Sequence, residues 1–383
     1  MKHNITSFLN KNKNNFYDLC LYLYNNPEIS YSEYNSKEYI CNLLSKFDFS
    51  ITKNFLDIEN SFIAIKGSGH PKICFLCEYD AIENEGHITG HNVITTISVA
   101  AASALGSVID KCNATSVIIG CPGEYLGGSK EIMVKQGVFD DIDAVMAVHP
   151  DITTCESGSS SAIEPIGLLF EDERKLSFIN NNSYTPLDAV LLTLNTLNSV
   201  KKSFPSELDI TYVISNGGST PLLIPEKSEI KFYIRAKTSK CLTYGDNLLR
   251  KIAKYVSDLT KIKNSFFLYE QPNKELITNR TLNRLFSHNL KENGVIHIDP
   301  PRDISAGLSI GDVSQVVPTI HPYISICDDP TIKYGSTDFA NATVSEFAMS
   351  QTLIAAKSLA YTAMDLIKND KLLKEVQNEF SSK

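Results

Sequence analysis

Three residues able to carry hydrolytic chemistry, His91, Glu124 and His149, each lie next to an apolar segment of the sequence. Imidazole nitrogens bind metal ions, and either an imidazole or a carboxylate can act as a general acid or base. The chain has only eight histidines among its 383 residues, which is few for a metal enzyme. These residues could form a metal site or an acid–base pair, provided that the surrounding elements bring them together.

Apolar runs alternate with helical patterns over the first 165 residues. Strands are expected at 61–66, 72–78, 114–120 and 144–149, and helices within 13–47 and at 93–110 and 130–136. Such alternation favours an α/β domain, whose ligand site should lie beyond the carboxyl ends of the strands. Because His91, Glu124 and His149 fall on or just after strand ends, we expect one pocket to contain all three.

The pattern changes between about residues 165 and 270 to strand, helix, strand, strand, helix, strand. This order, with alternating apolar and charged residues at 229–236, is similar to a ferredoxin-like α+β module with a half-exposed sheet. The α/β pattern then returns and ends in an amphipathic stretch at 347–374. We therefore expect a larger discontinuous domain, residues 1–165 and 273–383, and a smaller inserted domain, residues 166–272.

Composition argues against several classes of partner. The chain is 43% apolar and 21% charged, with a net charge of −8 that disfavours binding to nucleic acid or anionic lipid. Nine cysteines, scattered through apolar segments, favour buried thiols in a reducing compartment over a disulfide framework. The residues after Met1 are polar, unlike a secretory signal, and we expect no membrane-spanning segment. The expected location is the cytoplasm.

The segments that follow the strands resemble motifs of the aminoacylase and carboxypeptidase-like zinc metallopeptidase family, in its amidohydrolase and dipeptidase branch. Residues 86–92, Gly-His-Ile-Thr-Gly-His-Asn, resemble the family's G-H-A-C-G-H-N, and residues 120–125, Gly-Cys-Pro-Gly-Glu-Tyr, resemble G-T-P-A-E-E. Further similar segments follow the family order at 77–81, 127–139, 148–150, 216–225 and 316–323. The resemblance implies a zinc-peptidase-like α/β domain with an inserted ferredoxin-like lid, through which family members form homodimers.

This resemblance implies two zinc ions, held by a Cys, two His, a Glu and a final His, and a separate Glu that acts as general base on metal-bound water. His91 and His149 correspond to two of these ligands. Glu124 corresponds to the general base. The usual family activity is hydrolysis of the amide bond in an N-acyl amino acid or a small dipeptide.

Several family ligands are missing from this chain. Thr89 stands in the place of the bridging Cys, and Tyr125 in the place of the metal-binding Glu. No His follows His321, so the final ligand is absent, and Leu222 replaces an Asn of the lid. Since two nearby cations need anions between them, we expect no metal cofactor. The alternative is one Zn or Mn ion on His91 and His149.

The leading hypothesis is a protein that acts on a small amide or amino-acid-like substrate without a metal, in amide formation or acyl transfer, with Glu124 as general base. One alternative is a catalytically inactive homologue that serves as a binding or scaffold partner, and another is a one-metal amide hydrolase. For Tyr125 and Tyr334, a role in the pocket and packing in the core remain equally open. The predicted pocket residues are Thr89, His91, Tyr125, His149, Tyr334 and Leu222.

Overall fold

A computed structural model describes residues 1–173, 176–177 and 183–382 of the chain. In chain order, the helices are α1 (Lys2–Asn25), α2 (Tyr34–Ser45), α3 (His91–Ile109), α4 (Lys130–Lys135), α5 (Pro186–Val200), α6 (Ser239–Thr260), α7 (Arg280–Glu292), α8 (Ile310–Val313), α9 (Thr337–Ala342), α10 (Glu346–Lys368) and α11 (Asp370–Ser381). The strands are β1 (Ser50–Lys53), β2 (Phe62–Gly67), β3 (Lys72–Cys77), β4 (Thr115–Gly120), β5 (Ala144–Met146), β6 (His149–Asp151), β7 (Ala162–Glu171), β8 (Leu208–Asn216), β9 (Lys227–Ala236), β10 (Lys263–Leu268), β11 (Thr319–Ile320) and β12 (Tyr323–Ser325).

The chain divides into two compact units. Unit 1 comprises Met1–Ser159, Leu276–Ile304 and Asp312–Lys383, and unit 2 comprises Ser160–Glu275 and Ser305–Gly311. Unit 2 thus starts earlier than the expected residue 166 and includes a second segment. The physical reason is local pairing, because Ser161 N–H donates to the Ala306 carbonyl over 3.0 Å.

A mixed sheet forms the centre of unit 1. Within the described chain, six strands follow the order β1-β2-β4-β3-β5-β11, and β3 pairs in parallel with both β4 and β5. Strand β4 is buried along its whole length, and β3 is buried from Ile73 to Cys77. Such continuous apolar strands are typical of parallel sheets covered on both faces by helices.

The register of β3 and β4 decides where the site forms. Cys77 at the end of β3 lies opposite Gly120 at the end of β4. Because the two strands are parallel, the polar residues that follow them leave the same edge of the sheet. Glu78 and Glu124 are therefore brought to neighbouring positions.

The expected strand at 144–149 is wrong as a single element. Strand β5 pairs with β11 of the main sheet, whereas β6 pairs in parallel with β12 in a separate two-stranded sheet. The chain stays extended, but its partner changes at Ala147, and His149 then lies opposite Tyr323. This change takes His149 out of the main sheet and into the region beyond the strand ends.

Unit 2 has the expected ferredoxin-like arrangement. Its antiparallel sheet has the order β10-β7-β9-β8, with α5 and α6 connecting the strands. Buried and partly exposed residues alternate along β9, as expected for a sheet covered on one face. The fold class is therefore confirmed: a larger α/β unit with an inserted α+β unit.

Helix α3 is apolar and long enough to pass a composition test for a membrane span. However, 94% of the tested segment is buried inside the protein. The core position of α3, next to β3 and β4, accounts for its apolar sequence.

Candidate functional site

A buried lysine lies between two carboxylates at the carboxyl ends of β3 and β4. The Lys130 Nζ atom is 2.7 Å from Glu78 Oε1 and 2.5 Å from Glu124 Oε1. Its side chain is fully buried, so its charge must be balanced within the protein. Burial alone would lower the pKa of Lys130, but the Glu124 and Glu78 carboxylates outweigh it and raise the pKa. The lysine is held as an ammonium ion.

A tight turn carries Lys130 back over Glu124. The short 3-10 helix Glu124–Leu126 is followed by Gly127 and Gly128, whose φ angles are +90° and +76°. Glycine adopts these left-handed conformations without the steric cost that a Cβ brings. Lys130 then begins α4, although the dipole of a helix disfavours a cation at that end. The two carboxylates therefore determine where the lysine lies.

His91, the first residue of α3, is fixed by an acidic partner. Its Nδ1 atom is 2.8 Å from Asp80 Oδ1. Asp80 Oδ2 also accepts hydrogen bonds from the Ser30 hydroxyl over 2.7 Å and from Tyr125 N–H over 3.0 Å. Burial would lower the pKa of His91, but Asp80 overcomes it and raises the pKa. His91 Nε2 lies 3.8 Å from Glu78 Oε2, which joins the two acidic pairs into one network.

Two hydroxyl groups occupy the positions where the family resemblance implies a thiolate and a carboxylate. The hydroxyls of Thr89 and Tyr125 form a hydrogen bond with each other. The Tyr125 ring stacks on His91, with 4.6 Å between the ring centroids. Burial raises the pKa of Tyr125, so its phenol stays protonated and can donate a hydrogen bond.

A cluster of aromatic rings surrounds His149. The His149 ring centroid is 6.3 Å from that of His91, 5.5 Å from His321, 5.7 Å from Tyr323 and 6.1 Å from Tyr334. Burial lowers the pKa of His149 to about 3, with further lowering from the charges of His321 and His91. Burial likewise lowers the pKa of His321 to about 4. Both rings are therefore neutral near pH 7, unlike His91.

The buried neutral His321 should make the protein sensitive to acid. Because its pKa is about 4 in the folded chain and 6.5 when unperturbed, the unfolded state takes up the proton first as pH falls. This contribution is complete above pH 6.5 and is lost towards pH 4. We expect a loss of about 2 kcal/mol between neutral pH and pH 5 from this group alone.

Urea denaturation at neutral pH and at pH 5 measures this loss. His321→Gln should reduce the pH dependence by that amount. His288→Gln is the control, because the His288 side chain is 64% exposed on α7. An unchanged pH dependence in His321→Gln would contradict the prediction.

The structure brings most of the predicted site residues together. Contacts connect Thr89, His91, Glu124, Tyr125, His149 and Tyr334 through the hydrogen bonds, ion pairs and ring contacts described above. Tyr334 is 45% exposed, which argues against complete packing in the core. Leu222 belongs to unit 2, where it is 55% exposed and its carbonyl accepts a hydrogen bond from Ser177 N–H.

Sequence reasoning missed four residues of this network: Glu78, Asp80, Lys130 and His321. Glu78 and Asp80 directly follow β3, so their position at a strand end was an available signal. Lys130 was interpreted only as part of a helix, because lysine is rarely buried. Its spacing of six residues from Glu124, across two glycines, is a signal that becomes clear once the turn is known.

The side chains present do not fit the two-zinc site implied by the family resemblance. Glu78 and Glu124 are engaged by Lys130, while Thr89 and Tyr125 bring neutral hydroxyls. Within residues 1–173, 176–177 and 183–382, no group of three or more His, Cys, Asp or Glu side chains is arranged to hold a metal ion. His91 and His149 each have Nδ1 engaged, the latter 2.7 Å from the Pro150 carbonyl oxygen.

Comparison with solved structures supports the fold. A putative aminohydrolase from Staphylococcus aureus superposes with a TM-score of 0.75 at 16% identity, over 96% of this chain and 100% of that chain. A dinuclear metal-binding peptidase of the M20 family from Bacillus subtilis superposes with a TM-score of 0.64 at 14% identity, over 90% and 97%.

Sequence comparison gives the family, although no family model matches the chain. The Xaa-Arg dipeptidase of Mus musculus is 30% identical over 332 residues, which make up 82% of this chain and 74% of that protein. The chain belongs to the M20 peptidase family. A p-aminobenzoyl-glutamate hydrolase chain of Escherichia coli is 27% identical over 280 residues, or 67% of this chain and 58% of that protein. The predicted membership of the amidohydrolase and dipeptidase group is confirmed.

Proposed function

We propose that this M20 family member acts on the amide bond of a small dipeptide or N-acyl amino acid, without a dinuclear zinc centre and with Glu124 as general base. The observation that carries the proposal is the position of Glu124, at the carboxyl end of β4 and one ion-pair step from the network around His91. The similarity to an Xaa-Arg dipeptidase supports the substrate class.

Glu124 accepts the proton of the attacking nucleophile in this proposal. A water or amine forms a bond to the carbonyl carbon, and the carbon–nitrogen bond breaks as the proton passes to the leaving nitrogen. With water the result is hydrolysis, and with an amine it is acyl transfer or amide formation. The protonated Tyr125 phenol is available to donate a hydrogen bond to the developing oxyanion.

The test is a panel of small amides drawn from the relatives' chemistry: Xaa-Arg dipeptides, p-aminobenzoyl-glutamate and N-acetyl-cysteine. Each is incubated with the purified protein, with and without an added amine acceptor, and the products are followed by mass spectrometry. We expect turnover of at least one class. Absence of any reaction, in hydrolysis and in acyl transfer, would overturn the proposal.

A second candidate is a binding protein without catalysis. The pairing of Glu124 with the buried Lys130 favours this candidate, because a neighbouring cation makes a carboxylate a weaker base. Calorimetric titration with the same amides separates the two functions. Binding without product formation would indicate the binding role.

A further inference from the structure

We propose that Lys130 is a built-in counter-ion that occupies a cation site formed by Glu78 and Glu124. In the family resemblance, positive charge beside the general base comes from zinc. In this chain the side chain of one residue supplies it. The inference concerns the charge balance of the site, so it holds whether the protein catalyses a reaction or only binds an amide.

The contacts of Lys130 are those of a bound cation. Its ammonium lies within 2.7 Å of an oxygen of Glu78 and 2.5 Å of an oxygen of Glu124. The exposed fractions of these carboxylate side chains are only 8% and 10%. Water therefore screens them poorly, and an ion close to both gains far more than at the protein surface.

The charges of the wider network also require this ammonium. The buried carboxylates of Glu78, Asp80 and Glu124 face the cations Lys130 and His91. The Cys121 thiol also faces Lys130, and burial raises its pKa to about 12, so it adds no charge near neutral pH. Without the lysine, three carboxylates would share one cation, and such unpaired buried charge is strongly unfavourable.

Helix α4 offers a contrasting lysine. The Lys135 side chain is 69% exposed and pairs with Glu131 one helical turn away. A surface pair of this kind contributes little to stability. Lys135 therefore provides a matched control for Lys130, with the same side chain in the same helix but a different environment.

The inference predicts that an external cation can replace the lost side chain. Lys130→Ala removes the three outer methylene groups and the ammonium, which together correspond to n-propylammonium. We expect n-propylammonium to restore thermal stability to Lys130→Ala. Propan-1-ol has a similar shape but no charge and should have little effect. Neither compound should stabilise the parent protein or Lys135→Ala.

The measurement is the midpoint of thermal unfolding as a function of n-propylammonium chloride or propan-1-ol concentration, at constant ionic strength. Saturating binding to the folded state should raise the midpoint by several degrees, with a hyperbolic concentration dependence. If Lys130→Ala does not fold in buffer alone, its refolding yield in each compound becomes the readout. Lys130→Arg, which keeps the charge, should remain closer to the parent in stability than Lys130→Ala.

Selective rescue by n-propylammonium supports a cation site. Equal rescue by propan-1-ol would overturn the proposal, because Lys130 would then act only by filling space. A complete lack of rescue by either compound would also overturn it. None of these outcomes depends on amide turnover, so failure of the proposed function would leave this test intact.

Discussion

Glu124→Gln is expected to lower kcat/KM on the amide substrate by about 10²- to 10⁴-fold, the usual contribution of a general base. Glutamine keeps the shape of the side chain but cannot accept the proton of the nucleophile. The loss should appear mainly in kcat, because substrate binding does not require proton transfer. Steady-state kinetics on the best substrate of the panel measures it.

Glu131→Gln is the control for this substitution. Glu131 lies in α4 and pairs with the exposed Lys135, so the activity of this variant should stay close to that of the parent. Thermal unfolding confirms that Glu124→Gln is still folded, since this change also removes one partner of Lys130. Unchanged kinetics in folded Glu124→Gln would rule out the general-base role.

Lys130→Met is expected to destabilise the folded protein by about 3–5 kcal/mol, the usual cost of removing one partner from a buried ion pair. Methionine fills similar space, so the loss reports on charge. Glu78 and Glu124 would remain buried with one cation fewer. The free energy of unfolding from urea titration gives the value.

Two further variants separate charge from packing in that experiment. Lys135→Met should change stability by less than about 0.5 kcal/mol, as expected at an exposed position. Combining Lys130→Met with Glu78→Gln should recover part of the loss, because one of the unpaired charges is then removed. A loss in Lys130→Met no larger than that in Lys135→Met would contradict the importance of the buried ammonium.

The sequence contained enough information for the main elements of the fold. Continuous apolar runs predicted β3 and β4 at nearly their observed bounds, and the order of elements in unit 2 was correct. The split between β5 and β6 was not predicted. Residues 144–149 are apolar throughout, and the change of partner at Ala147 depends on β11 and β12, more than 170 residues away.

The candidate site could be predicted in part. His91, Glu124 and His149 were identified because strand ends in an α/β sheet converge. Lys130 could not be identified as buried, since sequence alone gives no sign that two carboxylates will enclose a lysine. Likewise, the position of His321 against His149 depends on the pairing of β6 with β12, which joins distant parts of the chain.

Turnover by metal-stripped protein tests the central claim most directly. The active amide from the panel is incubated with protein that has been dialysed against a chelator, and its metal content is measured in the same sample. We expect the rate to match that of untreated protein, with no gain on adding Zn²⁺ or Mn²⁺. Loss of activity on stripping, with recovery at one or two metal ions per chain, would contradict a metal-independent reaction at Glu124.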